Sequence, residues 1–169
     1  MHFLGKGCVA MKFLKITLIL LLCLSLLAGC SAKGEQPSTL EIAQQLKSYS
    51  ADTVSWAELN KTKISAYFGF ADDNIEEFKG YVNDSEEYFD IIAVFKLKNP
   101  DTKDEVIKGI SFMSKTANNI YKITNKSVSD KINSRIIAEK DDLIILCIMD
   151  NYGQISKYLT DVLKAKIIS

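Results

Sequence analysis

The sequence predicts an α+β domain with a mainly antiparallel sheet of about four strands and with helices packed on one face of that sheet. Strand-like runs occur in two pairs, and a short polar turn separates the members of each pair. Amphipathic helical stretches precede, separate and follow the pairs, which gives the order α-α-β-β-α-β-β-α. Because a short turn joins strands that run in opposite directions, each pair is expected to form an antiparallel hairpin.

The first half of the domain begins with two helical stretches. Ser38 followed by Glu41 has the spacing of a capping box, which opens a helix. The apolar residues of that helix share one face: Ile42, Leu46 and Tyr49. A second helical stretch covers about 56–68 and stops at Gly69, because glycine commonly follows the last turn of a helix.

The first predicted hairpin follows these helices. Residues 79–83 form a short candidate strand, and 90–98 form a stronger one that is rich in Ile, Val and Phe. The polar segment 84–87 between them has the composition of a turn. Pro100 ends the second strand, and Asp101 is then available as the N-cap of the next helix.

The second half of the domain contains the clearest helical pattern, over about 102–123. Its apolar residues recur at steps of four and three on one stripe: Val106, Ile110, Met113, Ala117 and Ile120. Residues 135–139 and 143–150 then predict a second hairpin that turns at 140–142. A last helix is predicted over about 152–166.

The N-terminal segment predicts a lipid anchor. An uncharged apolar run, 16–28, follows Lys12 and Lys15 and ends at Gly29 and Cys30, which is the layout of a secretory signal. Residues Leu-Ala-Gly-Cys at the end of this run resemble the lipobox of bacterial lipoproteins. That resemblance implies cleavage between Gly29 and Cys30, and diacylglycerol on Cys30.

Two other interpretations of this segment are open. A transmembrane helix needs about 20 apolar residues, and the run is shorter than that. A soluble secreted protein that is cut elsewhere would leave Cys30 without a role. The ten residues before Met11 are unusual for a signal, so translation starting at Met11 is an alternative to Met1.

The predicted organisation therefore has three parts. Residues 1–29 are a lipoprotein signal peptide, 30–37 are a lipidated N-terminus with a small polar tether, and 38–169 are a single α+β domain. The two acyl chains of a diacylglycerol give stable anchoring, whereas one chain gives marginal affinity. The chain is thus expected at the cell membrane, lipid-anchored on the extracytoplasmic face.

Charge and cysteine usage narrow the functional classes further. Removal of the signal leaves 18 basic and 21 acidic residues, a net charge of −3, which argues against nucleic acid as a partner. The only arginine is Arg135, so the chain has few guanidinium groups with which to bind phosphate in a bidentate manner. Cys147 lies in an apolar run and is predicted to be a core residue rather than a reactive thiol.

Most catalytic signatures are absent from the sequence. The only histidine, His2, lies in or before the signal, which excludes His-dependent triads and His-containing zinc sites from residues 30–169. The sequence contains none of four common signatures: a Ser-x-x-Lys pair, a Gly-x-Ser-x-Gly elbow, a P-loop and a Gly-x-Gly-x-x-Gly motif. We therefore predict no catalytic residue, no cofactor and no metal site.

Carboxylates supply the one remaining catalytic chemistry. They form two clusters: Asp72, Asp73, Glu76 and Glu77, and then Asp84, Glu86, Glu87 and Asp90. Paired carboxylates can hydrolyse glycosides, and grouped ones can bind Ca²⁺. The ordinary explanation for such clusters is structural. Acidic residues near helix starts complement the helix dipole, and acidic residues in turns face water.

Aromatic residues are also clustered. The first group is Trp56, Tyr67, Phe68 and Phe70, and the second is Tyr81, Tyr88 and Phe89. Such groups can stack on sugar rings or dock a partner, but they more often pack helices over a sheet. We predict core packing for both groups.

Several segments resemble a family of small bacterial lipoproteins that is known as domain of unknown function 4358. The resemblance covers roughly residues 40–165. It rests on hydrophobic spacing in Tyr67 to Phe70, Ile75 to Phe78, Asp90 to Lys96, the helix that follows, and the closing hairpin with Asp150. It implies an envelope lipoprotein and brings no known activity or site residues.

The sequence therefore favours a non-enzymatic binding module that is anchored to the membrane through diacylglycerol on Cys30. An envelope protein or a cell-wall component is the expected partner, and nucleic acid is not. A carboxylate-dependent hydrolase that acts on an envelope polymer is the alternative.

Overall fold

The structure, a computed structural model, describes residues 36–169 apart from 52, 53, 71, 84 and 86. The predicted signal peptide, its cleavage site at Gly29 and Cys30, and the tether up to residue 35 lie outside the described residues. Among the described residues, no helix combines the length and apolar character that crossing a membrane requires.

The described chain contains five α-helices and six strands. In chain order they are α1 (Thr39–Lys47), β1 (Ala57–Glu58), α2 (Lys61–Phe68), β2 (Ile75–Asn83), β3 (Asp90–Leu97), α3 (Lys103–Thr124), α4 (Lys126–Asn133), β4 (Ile136–Lys140), β5 (Leu143–Ile148), α5 (Tyr152–Lys157) and β6 (Lys166–Ile167). Short 3-10 turns precede β2 and α3, and a π turn, Tyr158–Val162, extends α5.

The strands form one sheet in the order β1-β2-β3-β5-β4-β6, and every neighbouring pair is antiparallel. The predicted antiparallel sheet and its two hairpins, β2–β3 and β4–β5, are confirmed. The expected number of about four strands is too low, because β1 and β6 add a two-residue strand at each edge. Such short edge strands carry too few residues to produce an alternating pattern in the sequence.

The prediction that helices cover one face of the sheet is wrong. Helices α2, α3 and α4 pack on one face, while α1 and α5 pack on the other. Successive residues of β3 alternate between these two cores: Ile91, Ala93 and Phe95 point to the first, and Ile92 and Val94 to the second. Because both faces are covered, β3 and β5 are apolar along almost their whole length rather than at every second residue.

The first half of the domain begins as predicted at α1, where Ser38 and Glu41 form the capping box. Helix α2 is shorter than the predicted stretch 56–68, because Asn60 caps it and the preceding residues pair with β2. The helix ends as predicted at Gly69, whose φ of 67° is left-handed. Strand β2 begins at Ile75, four residues before the predicted start.

The start of α3 differs in its cap. Thr102, rather than Asp101, is the N-cap of α3, and it makes no side-chain capping hydrogen bond. The capping side chain is that of Asn99, which accepts from the backbone N–H of Asp101 at 3.0 Å and caps the preceding 3-10 turn. A 3-10 turn containing Pro100 then leads into the helix. The predicted helix 102–123 is otherwise confirmed at Lys103–Thr124.

The second half contains an unpredicted helix and an unpredicted strand. Helix α4 follows α3 directly, and it is short and mostly polar, with Val128 and Ile132 as its only large buried apolar residues. The predicted helix 152–166 ends early, since the backbone passes through the π turn and then pairs as β6 with β4. The predicted second hairpin is confirmed, and Asp141 occupies its turn with φ at 51°.

Helix α3 lies close to the end of α2 at Gly109. A Cβ atom at this position would lie 2.5 Å from the backbone oxygen of Phe68 and 2.6 Å from the ring of Phe70. Backbone cannot yield as easily as a flexible side chain, so only glycine fits this contact. Gly109 therefore sets the distance between α3 and the loop that follows α2.

We expect Gly109→Ala to lower the free energy of unfolding by about 2 kcal/mol, because overpacking outweighs the better helix propensity of alanine. Gly153→Ala is the matched control, since nothing lies within 4 Å of a Cβ atom there. It should leave stability unchanged or raise it by about 0.5 kcal/mol. Urea unfolding followed by the fluorescence of the single tryptophan, Trp56, measures both. Equal stability of the two variants would contradict the close approach.

Candidate binding surface on helix α3

Helix α3 carries two apolar stripes. The first faces the core and contains the buried residues Val106, Ile110, Met113 and Ala117. The second points outward at steps of four, four and three, and we call it the outer stripe: Phe112, Thr116, Ile120 and Ile123. Its large side chains are exposed, at 70% for Phe112, 59% for Ile120 and 87% for Ile123.

The prediction that Ile120 belongs to the buried stripe is therefore wrong. A helical pattern identifies which residues share a face, but Ile120 lies at the border between the two stripes. Phe112 and Ile123 were not identified from the sequence as candidate binding residues. Their spacing relative to Ile120 is the signal that could have identified them.

A groove of about 320 Å³ runs beside the outer stripe. Tyr67 of α2 and Phe89, which precedes β3, form the side of the groove opposite α3. The ring of Phe89 packs against that of Tyr121, with 5.5 Å between the centroids. The groove is thus lined mainly by apolar and aromatic side chains, as is common in binding sites.

Hydrogen bonds fix the C-terminal end of this surface. The hydroxyl of Tyr121 donates to the backbone oxygen of Ser85 at 3.3 Å. Asn125 ends α3 and caps α4, because its side chain accepts from the backbone N–H of Val128 at 3.3 Å. The same side chain donates to the backbone oxygen of Glu87 at 3.4 Å. The turn before β3 is therefore tied to the junction of α3 and α4.

Three exposed lysines, spaced seven residues apart, lie beside the outer stripe. We call them the lysine row: Lys108, Lys115 and Lys122. Seven residues make nearly two helical turns, so these side chains share one side of α3 next to Phe112 and Ile123. Within the described part of the chain, none of the three forms an ion pair. The sequence from 106 to 129 contains four lysines and no acidic residue.

The structure does not bring the described members of the first acidic cluster together. Glu76 pairs with Lys96 at 2.8 Å, whereas Glu77 accepts a hydrogen bond from the hydroxyl of Thr39 at 2.6 Å. In the second cluster, Asp84 and Glu86 lie outside the described residues. Among the residues that the structure describes, no three His, Cys, Asp or Glu side chains are grouped for metal binding.

A second cavity, of about 480 Å³, lies at the edge of the sheet beside β1 and β2. Glu58 and Glu76 line it together with apolar residues. Both carboxylates are exposed, and each is paired with a lysine, Lys79 or Lys96. This cavity is therefore open and its charges are neutralised by neighbours.

The most buried ion pair among the described residues joins β3 to α4. Lys131 lies 2.7 Å from Asp90, and their side chains are 12% and 4% exposed. Burial raises the pKa of Asp90, and the hydrogen bond from Lys131 opposes that rise. Burial alone would lower the pKa of Lys131, but its contacts with Asp90 and with exposed Asp150 outweigh it and raise the pKa. This pair was not predicted, since helix α4 itself was missed.

Cys147 and the aromatic residues agree in part with their predicted roles. Cys147 is buried in the core beneath α1 and α5, and burial raises the pKa of its thiol, so the predicted core role is confirmed. Phe68 and Phe70 also lie in the core, with Phe95 against both rings. Tyr67 packs against the same core but is only half-buried, and it also lines the groove beside α3.

We expect Lys131→Met to lower the free energy of unfolding by about 3 kcal/mol at pH 7, because it leaves a buried carboxylate without its cation. Without Lys131, burial raises the pKa of Asp90 unopposed. An acid whose pKa is higher in the folded state stabilises the fold at low pH, and that contribution is lost as the pH rises. The loss in Lys131→Met should therefore shrink below about pH 4 and grow towards neutral pH.

Lys126→Met is the matched control on the same helix, because Lys126 forms an exposed pair with Asp130 at 2.9 Å. It should change the free energy of unfolding by less than about 0.5 kcal/mol, both at pH 7 and below about pH 4. Urea unfolding at both pH values measures these differences. An equal loss in the two variants, or a loss in Lys131→Met that does not depend on pH, would contradict the role of the buried pair.

Comparison with known proteins identifies a family for the chain. The chain matches the profile described as Domain of unknown function (DUF4358) over residues 48–149. Neither the curated proteins nor the solved structures gave a significant match. The matched segment runs from the end of α1 to the end of β5, and it includes α2, α3 and the central strands. The match confirms the resemblance to the domain of unknown function, over a shorter span than the predicted 40–165, and the chain belongs to the DUF4358 family.

Proposed function

We propose that the protein is a membrane-anchored bacterial lipoprotein whose domain acts as a non-enzymatic binding module outside the cytoplasmic membrane. The anchor is the predicted diacylglycerol on Cys30, after the signal 1–29. The binding site is the outer stripe of α3 with its adjacent groove. An envelope protein, a wall component or the membrane itself is the expected partner.

The observation that carries this proposal is the exposure of Phe112, Ile120 and Ile123 along one helix. Single exposed apolar residues are normal, but neighbouring ones beside an apolar groove are typical of an interaction site. The other apolar face of α3 is already used by the core. The packing of this domain therefore leaves the outer stripe mostly exposed.

The sequence supports a non-enzymatic role for this site. Residues 30–169 contain no histidine. The acidic residues of α3 are confined to its first turn, Asp104 and Glu105, and no acidic residue lines the groove. The groove lining is aliphatic and aromatic apart from Thr116 and the tyrosine hydroxyls. Such a surface binds by shape and burial of apolar area.

The alternative function is a carboxylate-dependent hydrolase that acts on an envelope polymer. The observation in its favour is the 480 Å³ cavity with Glu58 and Glu76 on its wall. The lysine partners of both carboxylates weigh against it, because a general acid in a glycosidase needs an environment that keeps it protonated. We therefore rank the binding module first.

We expect Cys30→Ala to release the protein from the membrane or to leave the signal attached, because alanine cannot carry the diacylglycerol. Cell fractionation and the mass of the N-terminal peptide measure both effects. Cys23→Ala, within the apolar run, is the matched control and should fractionate like the parent chain. Parental fractionation and gel mobility of Cys30→Ala would contradict the anchor.

The binding surface can be tested with a photo-crosslinking amino acid placed at Phe112. In intact cells this position should give reproducible adducts, since it borders the groove and is 70% exposed. Val162 on the π turn after α5 is an equally exposed apolar control on the opposite face of the sheet. Identical adducts at both positions, or none at Phe112, would argue against a binding role for α3.

A further inference from the structure

We propose that the outer stripe and the lysine row of α3 dock together on the anionic headgroup surface of the bilayer that holds the chain. The proposal rests on the anchored location proposed above and names the partner of the α3 surface. It predicts that the domain lies on the membrane with α3 facing the lipid rather than standing free on its tether.

The apolar part of the surface has the form of an interfacial helix. Phe112, Ile120 and Ile123 project from one side of α3 into solvent. An amphipathic helix binds a bilayer by sinking such side chains several ångströms into the boundary between headgroups and acyl chains. The long axis of α3 allows all three side chains to enter one plane, because they lie on one stripe.

The charge of the surface complements anionic lipid. Residues 106–129 carry four lysines and no acid, whereas residues 30–169 as a whole carry a net charge of −3. Lys103 of α3 pairs with Glu139, which leaves the lysine row as the unpaired positive charge among the described residues of α3. The two acids of α3, Asp104 and Glu105, lie in its first turn, before the outer stripe begins. Lysines that flank exposed apolar side chains are the pattern of a surface that binds anionic membranes.

The proposed anchor keeps this surface near lipid. Residues 30–37 span at most about 29 Å when fully extended, since one residue contributes at most about 3.6 Å. A short tether raises the effective concentration of the membrane at every part of the domain surface. A weak lipid-binding surface is then sufficient to orient the domain.

Two other occupants fit the surface less well. A second copy of the chain would bring two lysine rows near each other in a two-fold contact, and within α3 only the first-turn acids Asp104 and Glu105 could oppose that repulsion. An acidic protein would complement the lysines, but it would also have to supply an apolar ridge that matches the groove. A bilayer supplies negative charge and apolar depth without a matched shape.

The experiment places an environment-sensitive fluorophore on Ile123→Cys in the full, lipid-carrying chain. Cys147 is buried, so its thiol should not react with the label in the folded protein. The chain is added to vesicles of phosphatidylcholine, or of equal parts phosphatidylcholine and phosphatidylglycerol. On the anionic vesicles the emission should shift to the blue and become quenchable by acyl-chain quenchers.

The fluorophore on Val162→Cys is the matched positional control, because Val162 is also 70% exposed but lies on the other face of the sheet. It should report water on both kinds of vesicle. Lys115→Gln combined with Lys122→Gln should lower the ratio of membrane-docked to undocked domains roughly thirtyfold, since each lysine near an anionic surface contributes about 1 kcal/mol. Lys98→Gln combined with Lys157→Gln removes the same charge elsewhere and should have no such effect.

Several outcomes would overturn the proposal. A fluorophore on Ile123→Cys that stays in water, on a chain that floats with anionic vesicles, rejects the lipid surface and leaves the anchor intact. A blue shift that needs an added envelope protein assigns the site to a protein. A shift that grows with chain concentration on both kinds of vesicle assigns it to a second copy. A chain that does not float, and whose N-terminal peptide lacks the lipid mass, removes the anchor and this proposal with it.

Discussion

The two central strands, β3 and β5, bury both of their faces, and the arrangement of every helix follows from this. Ile92 and Val94 face one core, while Ile91 and Phe95 face the other. Burying one such side chain contributes about 1.5–3 kcal/mol, so neither face of the sheet can be left open to water without a large loss. Helices α1 and α5 must therefore cover one face, and α2, α3 and α4 the other.

The sequence predicts the central elements because each has a long, regular pattern. The unbroken apolar runs at 91–95 and 143–148 are consistent with burial on two sides, whereas antiparallel hairpins commonly have one face in water, which is the basis of the one-face prediction. The missed elements depend on contacts between distant residues. Strand β1 exists because Ala57 pairs with Val82, and β6 because Ile167 pairs with Ala138.

The candidate site could be predicted only in part. The helical pattern identifies Val106, Ile110, Met113 and Ala117 as the stripe that meets the sheet, but it does not show whether other elements cover the neighbouring stripe. That coverage depends on contacts between distant residues, such as the close approach of Gly109 to the backbone of Phe68. The residues after α2 cover α3 near Gly109, and the groove opens beyond them, beside Phe112 and Ile120.

The exposed surface of α3 is also held at its other end. Asn125 joins the helix to α4, and Lys131 of α4 forms a buried ion pair with Asp90 at the start of β3. With Gly109 packed near one end and this pair beyond the other, the backbone under the outer stripe is ordered before any partner arrives. Binding to a preformed surface avoids most of the entropy cost of ordering a loop. An exposed apolar stripe on a preformed helix therefore suits a flat partner better than a ligand that must be enclosed.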